Sequence, residues 1–186
     1  MKRIFDLLLA VILLIALAPL MLIVLIMVIL TSKGAAVHWS DRFGKNNIIF
    51  KMPKFRTMVI NTPDLATNLL NNPQSYLTPI GGFLRSTSLD ELPQLFSIIL
   101  GDMSFLGPRP ALHNQFDLIA LRTSKGLHQF RPGITGLAQV SGRDGLALVD
   151  KVAFEIVHMN KQSVWFDLKI LMTTIVKVVK KVGVSH

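Results

Sequence analysis

The sequence predicts an α/β protein, predominantly helical with few short strands, joined to one apolar N-terminal helix. Three observations predict it. The run from Leu7 to Leu30 is apolar throughout, helical candidates beyond it are separated by Pro- and Gly-rich joints, and strand-like alternation is confined to short stretches such as Asn47 to Met52. With 186 residues the chain holds one modest domain plus a membrane segment. We divide it into a membrane helix over residues 1–32 and a domain over residues 33–186 whose last element is an amphipathic helix at 163–182.

The apolar run of roughly 24 residues, at about 1.5 Å each, makes about 36 Å of helix, enough to cross a bilayer. Its length and the absence of a small-residue cleavage site in Thr31-Ser32-Lys33-Gly34 argue against a secretory signal. By length alone a straight span is the default. Pro19 sits inside the run, where it removes one hydrogen bond and bends the axis. Lys2 and Arg3 precede the run while Lys33, Arg42 and Lys45 follow it, so the positive-inside rule pulls both ends toward the cytoplasm. A helix that enters, bends at Pro19 and returns to the same face satisfies both observations.

Beyond the anchor, Asn47 to Met52 reads as a short strand ended by Pro53. Asp64 to Leu70 is a short helical candidate between turn signals. Gln94 to Leu100 follows Pro93 and reads as a helix ending near Gly101, Gly107 to Pro110 is non-helical, and Leu112 to Leu121 is a further helix. Arg131 to Gly145 reads as an irregular loop or short-strand region, and Asp150 to Met159 and Ser163 to Val182 as the last helices. In the final one Trp165, Leu168, Met172, Ile175, Val179 and Val182 recur at helical spacing, with Asp167, Thr174, Lys177 and Lys181 on the other side. Two readings stand for it: a helix lying in the membrane interface, or a surface helix whose stripe covers the core.

Composition narrows the function classes. A net charge of +9 accompanies a mean hydropathy of +0.49, a pairing unusual for a soluble protein. Cations beside an anionic bilayer or a diphosphate explain the excess, and the apolar content favours these over nucleic acid. With no cysteine, thiolate nucleophiles, disulfides and cysteine zinc sites are excluded. The five histidines show no paired metal spacing. There is no Walker loop or dinucleotide fingerprint, and neither Ser88 nor Ser104 has a visible base partner.

The candidates for chemistry are Asp90 and Glu91, two adjacent carboxylates in RSTSLDELPQLFSIILGDMSFLGPRP (Arg85 to Pro110). Ser88-Leu89-Asp90-Glu91 also matches a helix capping box, with Ser88 as N-cap and Glu91 reaching back. Either way Asp90 lies at a helix N-terminus, where the dipole favours an ionised carboxylate suited to nucleophilic attack or metal binding. Capping and chemistry both remain open on these residues alone. Lys54, Arg56, Arg85, Arg109, Arg131 and Arg143 sit beside Gly, Pro, Thr or Ser rather than in acidic pairing patterns, which suits convergence on an anion. Arg109, between Pro108 and Pro110, has a backbone preset for a guanidinium fork.

Four blocks carry a resemblance: FKMPKFRTM (Phe50 to Met58), LTPIGGFLRSTSLDELPQLFSIILGDMSFLGPRP (Leu77 to Pro110), RPGITGLAQVSGRD (Arg131 to Asp144) and WFDLKIL (Trp165 to Leu171). In this order they resemble the small monotopic phosphoglycosyl transferases of bacteria, which start glycan assembly on a polyprenol phosphate. The resemblance implies a re-entrant membrane helix with the catalytic domain on the cytoplasmic face of the bacterial inner membrane. The bend of that family usually carries a Ser-Pro pair, and here the pair is Ala18-Pro19.

The resemblance further implies that Asp90 attacks the sugar-bearing phosphate of a UDP-sugar, releasing UMP, and that polyprenol phosphate then takes the phosphosugar from the enzyme. It implies Mg2+ held at Asp90 and Glu91, with Glu91 tuning the pair, assisting the metal or accepting a proton. Lys54, Arg56, Arg85, Arg109 and Arg143 are the expected phosphate-binding residues. The partners are thus a UDP-sugar, a polyprenol phosphate and membrane lipids, with no nucleic acid. A rival reading is a non-catalytic membrane-anchored module whose basic face binds anionic lipids. The sugar, the glycan and the oligomeric state are not encoded in any of these motifs.

Overall fold

The structure, a computed structural model, describes residues 2–63, 65, 70–142 and 145–180. It is predominantly helical, with a few short strands and one long apolar N-terminal helix. The chain forms two compact units. Among the described residues, the first comprises residues 2–40 with Lys51–Leu100, and the second comprises Asp41–Phe50 with residues 101–180.

In the first unit, α1 (Lys2–Thr31) runs through Pro19 as a single helix. Most of its apolar surface is exposed, but a narrow stripe of Asp6, Ala10, Val24 and Val28 is buried. Val24 and Val28 pack with Phe55 and Leu84 in a core that also takes in Ile80, Leu89 and Leu92. The helix is thus anchored by burial near both ends. Phe55 closes β2 (Ile49–Phe55), and Leu84 lies on the short helix α2 (Gly81–Ser86). Gly81 is required there, because a Cβ at this position would lie 2.1 Å from the Thr57 carbonyl oxygen. A single helical turn, Leu89–Glu91, leads into α3 (Gln94–Leu100), which packs on α1.

The bounds expected for α3 are met. Pro93 is tolerated ahead of the first helical residue, and Gly101, at φ 101°, supplies the left-handed conformation that stops the helix. The expected strand is displaced. β2 starts at Ile49, not Asn47, and continues through Pro53, which was expected to end it. The sheet order β2-β1-β4 explains this, since an edge strand tolerates a residue without an N–H. Its hairpin partner β1 (Val37–Phe43) has mixed polarity, so no alternation marks it in the sequence. The helical candidate at Asp64 to Leu70 lies largely outside the described residues.

In the second unit, the end of β1 pairs antiparallel with β4 (Ala111–Leu112), and β3 (Ser104–Leu106) pairs in parallel with β5 (Gly133–Thr135). Gly133 permits that pairing, because a Cβ on it would stand 2.1 Å from the Gly107 amide nitrogen. Leu112 belongs to a strand, so the helix expected from Leu112 starts later, as α4 (Phe116–Ser124). The Gln115 side chain explains the delay by accepting the Leu112 N–H at 3.0 Å. The glycine-rich region from Arg131 holds β5 and a short helix, α5 (Leu137–Ser141). Leu118, Leu127, Val152 and Ala111 form the core beneath α4 and α6 (Leu148–Asn160).

The last helix, α7 (Val164–Val179), is capped by the Ser163 hydroxyl, which accepts from the Phe166 N–H at 3.2 Å. Its apolar stripe faces outward. Trp165, Leu168, Met172 and Ile175 are exposed, Trp165 by 81%. Two of its polar residues, Asp167 and Thr174, face the protein instead. Asp167 Oδ1 lies 3.1 Å from Nε2 of the buried His158, and the Thr174 and Thr135 hydroxyls bond at 2.7 Å. The apolar stripe therefore does not cover the core. Val182 and Lys181, expected at its far end, lie outside the described residues.

Candidate active site

Asp90 lies in the turn Leu89–Glu91 and is only 7% exposed. Ser88 takes the N-cap position in the left-handed region, at φ 56°, and its side chain makes no capping bond. Its backbone N–H donates to the Arg85 carbonyl instead of receiving Glu91. The turn therefore does not use the capping-box pattern. It is held by Leu89 and Leu92, which pack into the core on either side of the two carboxylates.

Glu91 is engaged from β2. The Lys54 ammonium donates to Glu91 Oε1 at 2.7 Å, with about a fifth of each side chain exposed. A Lys–Glu pair so placed fixes the turn to the strand and lowers the local negative charge beside Asp90. Arg85 lies on α2, four residues before the turn, so it stands in the same unit. Arg56 also belongs to this unit, but its Nε donates to the Ala35 carbonyl at 2.6 Å and its backbone N–H to the Ala36 carbonyl. It thus braces the chain just after α1.

Arg109 falls in the second unit, between β3 and β4. It lines a cleft with Phe43, Asn47, His128 and Phe130, and the Nδ1 atom of His128 there is buried without a hydrogen-bond partner. Support comes from residues the sequence reading missed. Arg122 donates to the Arg109 carbonyl at 2.9 Å and forms a two-pronged ion pair with Glu155, both side chains being buried. Nothing local marks that pair, because its members stand on two different helices, α4 and α6. Arg131 donates to the Gly101 carbonyl at 2.7 Å. Arg143 lies outside the described residues.

Asp90 and Glu91 offer carboxylate oxygens, the donor type a hard divalent cation such as magnesium takes. Such an ion binds through one or two carboxylates and completes its shell with water and substrate phosphate, and Asp90 and Glu91 are adjacent oxygen donors. No cluster of three or more metal-ligating side chains occurs among the described residues.

Residues 1–181 match the family model of the bacterial sugar transferases. The chain belongs to that family. The match bears out the resemblance drawn from the four sequence blocks at the level of a sugar-phosphate transferase enzyme. The chain is 38% identical, over 94% of its length, to the exopolysaccharide production protein ExoY of Sinorhizobium fredii, and the match covers 83% of that protein. It is 36% and 35% identical to the UDP-glucose:undecaprenyl-phosphate glucose-1-phosphate transferases of Klebsiella pneumoniae and Escherichia coli, over 95% of its own length in each case. The matches cover only 39% and 40% of those two proteins, so the chain spans well under half of these longer relatives.

Proposed function

We propose that this bacterial sugar transferase moves a sugar-1-phosphate from a UDP-sugar to a polyprenol phosphate, with Asp90 as the covalent nucleophile. The observation that carries the reading is the Asp90 turn. A buried aspartate sits beside a glutamate neutralised by Lys54, inside a family match that runs through the whole turn. The longer relatives named as UDP-glucose:undecaprenyl-phosphate transferases supply the substrate class.

In this mechanism an Asp90 carboxylate oxygen forms a bond to the phosphorus that bears the sugar. The bond from that phosphorus to the bridging oxygen breaks, and UMP leaves. A phosphate oxygen of the polyprenol carrier then attacks the same phosphorus, the acyl-phosphate bond breaks, and Asp90 returns as a carboxylate with polyprenyl diphosphate sugar as product. Lys54 holds Glu91 and offers its remaining ammonium protons to the donor's phosphates, Arg85 adds positive charge, and the family resemblance assigns Arg109 to the same phosphate-binding set. Arg56 and Arg143 complete the proposed phosphate set, Arg56 through its guanidinium nitrogens other than the Nε that braces Ala35. Magnesium held by Asp90 and Glu91 together with substrate oxygens would neutralise the charge that separates a carboxylate from a diphosphate.

The same reading places α1 in the bacterial inner membrane with both ends on the cytoplasmic face, bent at Ala18-Pro19, ahead of a catalytic domain over residues 33–186. Two contacts support it. Near its start Arg3 bonds to the Ile98 and Ile99 carbonyls, and near its end Val24 and Val28 pack on Phe55 and Leu84, all within one compact unit. A straight span would put the ends about 30 Å apart, on opposite sides of the hydrocarbon. The outward stripe of α7 supports an in-plane helix beside that membrane, where Trp165 suits the headgroup level and Lys177 can snorkel.

The decisive experiment omits the acceptor. Purified protein given a UDP-sugar and magnesium should release about one UMP per chain and gain one phosphosugar on a peptide containing Asp90. Transfer that strictly needs both substrates together, with no adduct under rapid quench, would remove Asp90 as nucleophile. Absence of UMP with every UDP-sugar tried, alongside tight binding to anionic vesicles, would favour the lipid-binding module instead.

A further inference from the structure

Arg3 enters the sequence reading only as a positive charge that helps orient the membrane helix. The structure gives it a more specific position. Its guanidinium donates to two successive carbonyls at the end of α3, from Nη1 to Ile98 O at 2.5 Å and from Nη2 to Ile99 O at 2.9 Å. These are among the carbonyls a helix leaves without intrahelical partners, and the negative end of its dipole lies there. A planar fork reaches both at once; a lysine ammonium lacks that geometry.

The other end of the same segment carries the reactive turn. Backbone hydrogen bonds run in sequence from Glu91 N to Ser88 O, Leu92 N to Leu89 O, Leu95 N to Leu92 O and Phe96 N to Pro93 O, and then through α3. The turn of Asp90 is therefore linked through Leu92, which donates to Leu89 and accepts from Leu95, to the helix whose far end Arg3 holds. α3 packs on α1, with Ala10 on one helix and Ile98 on the other completely buried. A shift of this end along α1 is passed toward Asp90 through the Leu92 bonds.

We infer that Arg3 is a positioning residue for the Asp90 turn, tying the seating of the membrane helix to the placement of the nucleophile. The inference rests on the reading of Asp90 as the reacting group. It separates the role of the guanidinium fork from that of positive charge, because Arg3→Lys keeps the charge and loses the fork. Lys2→Gln removes a charge from the same helix end and serves as the control.

In nanodiscs, Arg3→Lys should lower kcat roughly ten- to a hundredfold, the scale of a small misplacement of a reacting group, with KM for the UDP-sugar, membrane retention and Tm unchanged. Arg3→Gln should fall at least as far, while Lys2→Gln keeps the kcat of the unaltered protein. Hydrogen exchange of the substrate-free protein supplies a second readout: amides of residues 92–101 should exchange faster in Arg3→Lys and Arg3→Gln than in Lys2→Gln. This arm needs no substrate, so it still decides the clamp if the unaltered protein turns over no UDP-sugar and the transferase reading fails. The inference is overturned if Arg3→Lys matches the unaltered protein in kcat and exchange. It is overturned equally if Lys2→Gln falls as far as Arg3→Gln, or if Arg3→Lys leaves the membrane or melts early.

Discussion

Lys54 Nζ and Glu91 Oε1 lie 2.7 Å apart, joining β2 to the turn that carries Asp90. The pair is mostly shielded, so removing one member leaves a partly desolvated charge. Lys54→Met should lower stability by about 1–2 kcal/mol and turnover by at least roughly tenfold. In a double-mutant cycle with Glu91→Gln, the two changes should couple by about 1 kcal/mol or more in UMP-release rates. Strict additivity would mean that the two residues act separately.

Asp90→Asn keeps the shape of the side chain and removes its nucleophilic charge. Turnover should drop to background and the phosphosugar adduct should vanish, while the melting curve shifts by no more than about 1–2 kcal/mol for a buried amide in a carboxylate's place. Glu91→Gln, by contrast, should still form adduct slowly. Wild-type adduct levels in Asp90→Asn would place the covalent bond elsewhere.

Arg122 and Glu155 form a buried pair that also holds the Arg109 carbonyl. Glu155→Ala strands the guanidinium in the core and should cost about 3–5 kcal/mol, read by urea unfolding in detergent. Replacing both residues by apolar ones of similar volume should recover much of that loss, but it also frees the Arg109 segment. Activity should therefore stay low in the double variant.

On α7 the outward and inward faces should respond oppositely. Ile170, 2% exposed, should lose about 2–5 kcal/mol of stability on change to Ala. Met172→Gln and Ile175→Gln, on the exposed stripe, should leave stability within about 0.5 kcal/mol and weaken sedimentation with anionic vesicles. Equal vesicle binding by the Gln variants would detach this helix from the membrane.

The absence of cysteine makes topology directly testable. Single cysteines at Lys2 and at Ser32 should both resist an impermeant thiol reagent in intact cells. Pro19→Ala should expose part of the population at one of them and lower activity without altering Asp90. Labelling of the Lys2 position with Ser32 protected in the parent chain would establish a straight span.

Some features are decided by the sequence alone. The apolar run dictates a long N-terminal helix because no polar group interrupts it after Asp6, and Pro93 with Gly101 brackets α3 because one starts helices well and the other stops them. Four motif blocks are specific enough to identify the family. Tertiary structure decided the rest. Lys54, which looked available for phosphate, already holds Glu91, and Arg56 braces the Ala35 carbonyl; composition around a cation does not reveal a partner tens of residues away. The same holds for Arg122 with Glu155 and for Arg3 with α3. The stripe on α7 makes the limit plainest. Helical periodicity says which side chains share a face, but packing alone chooses whether that face turns inward, and here His158 and Thr135 drew the polar side in and left the apolar side out.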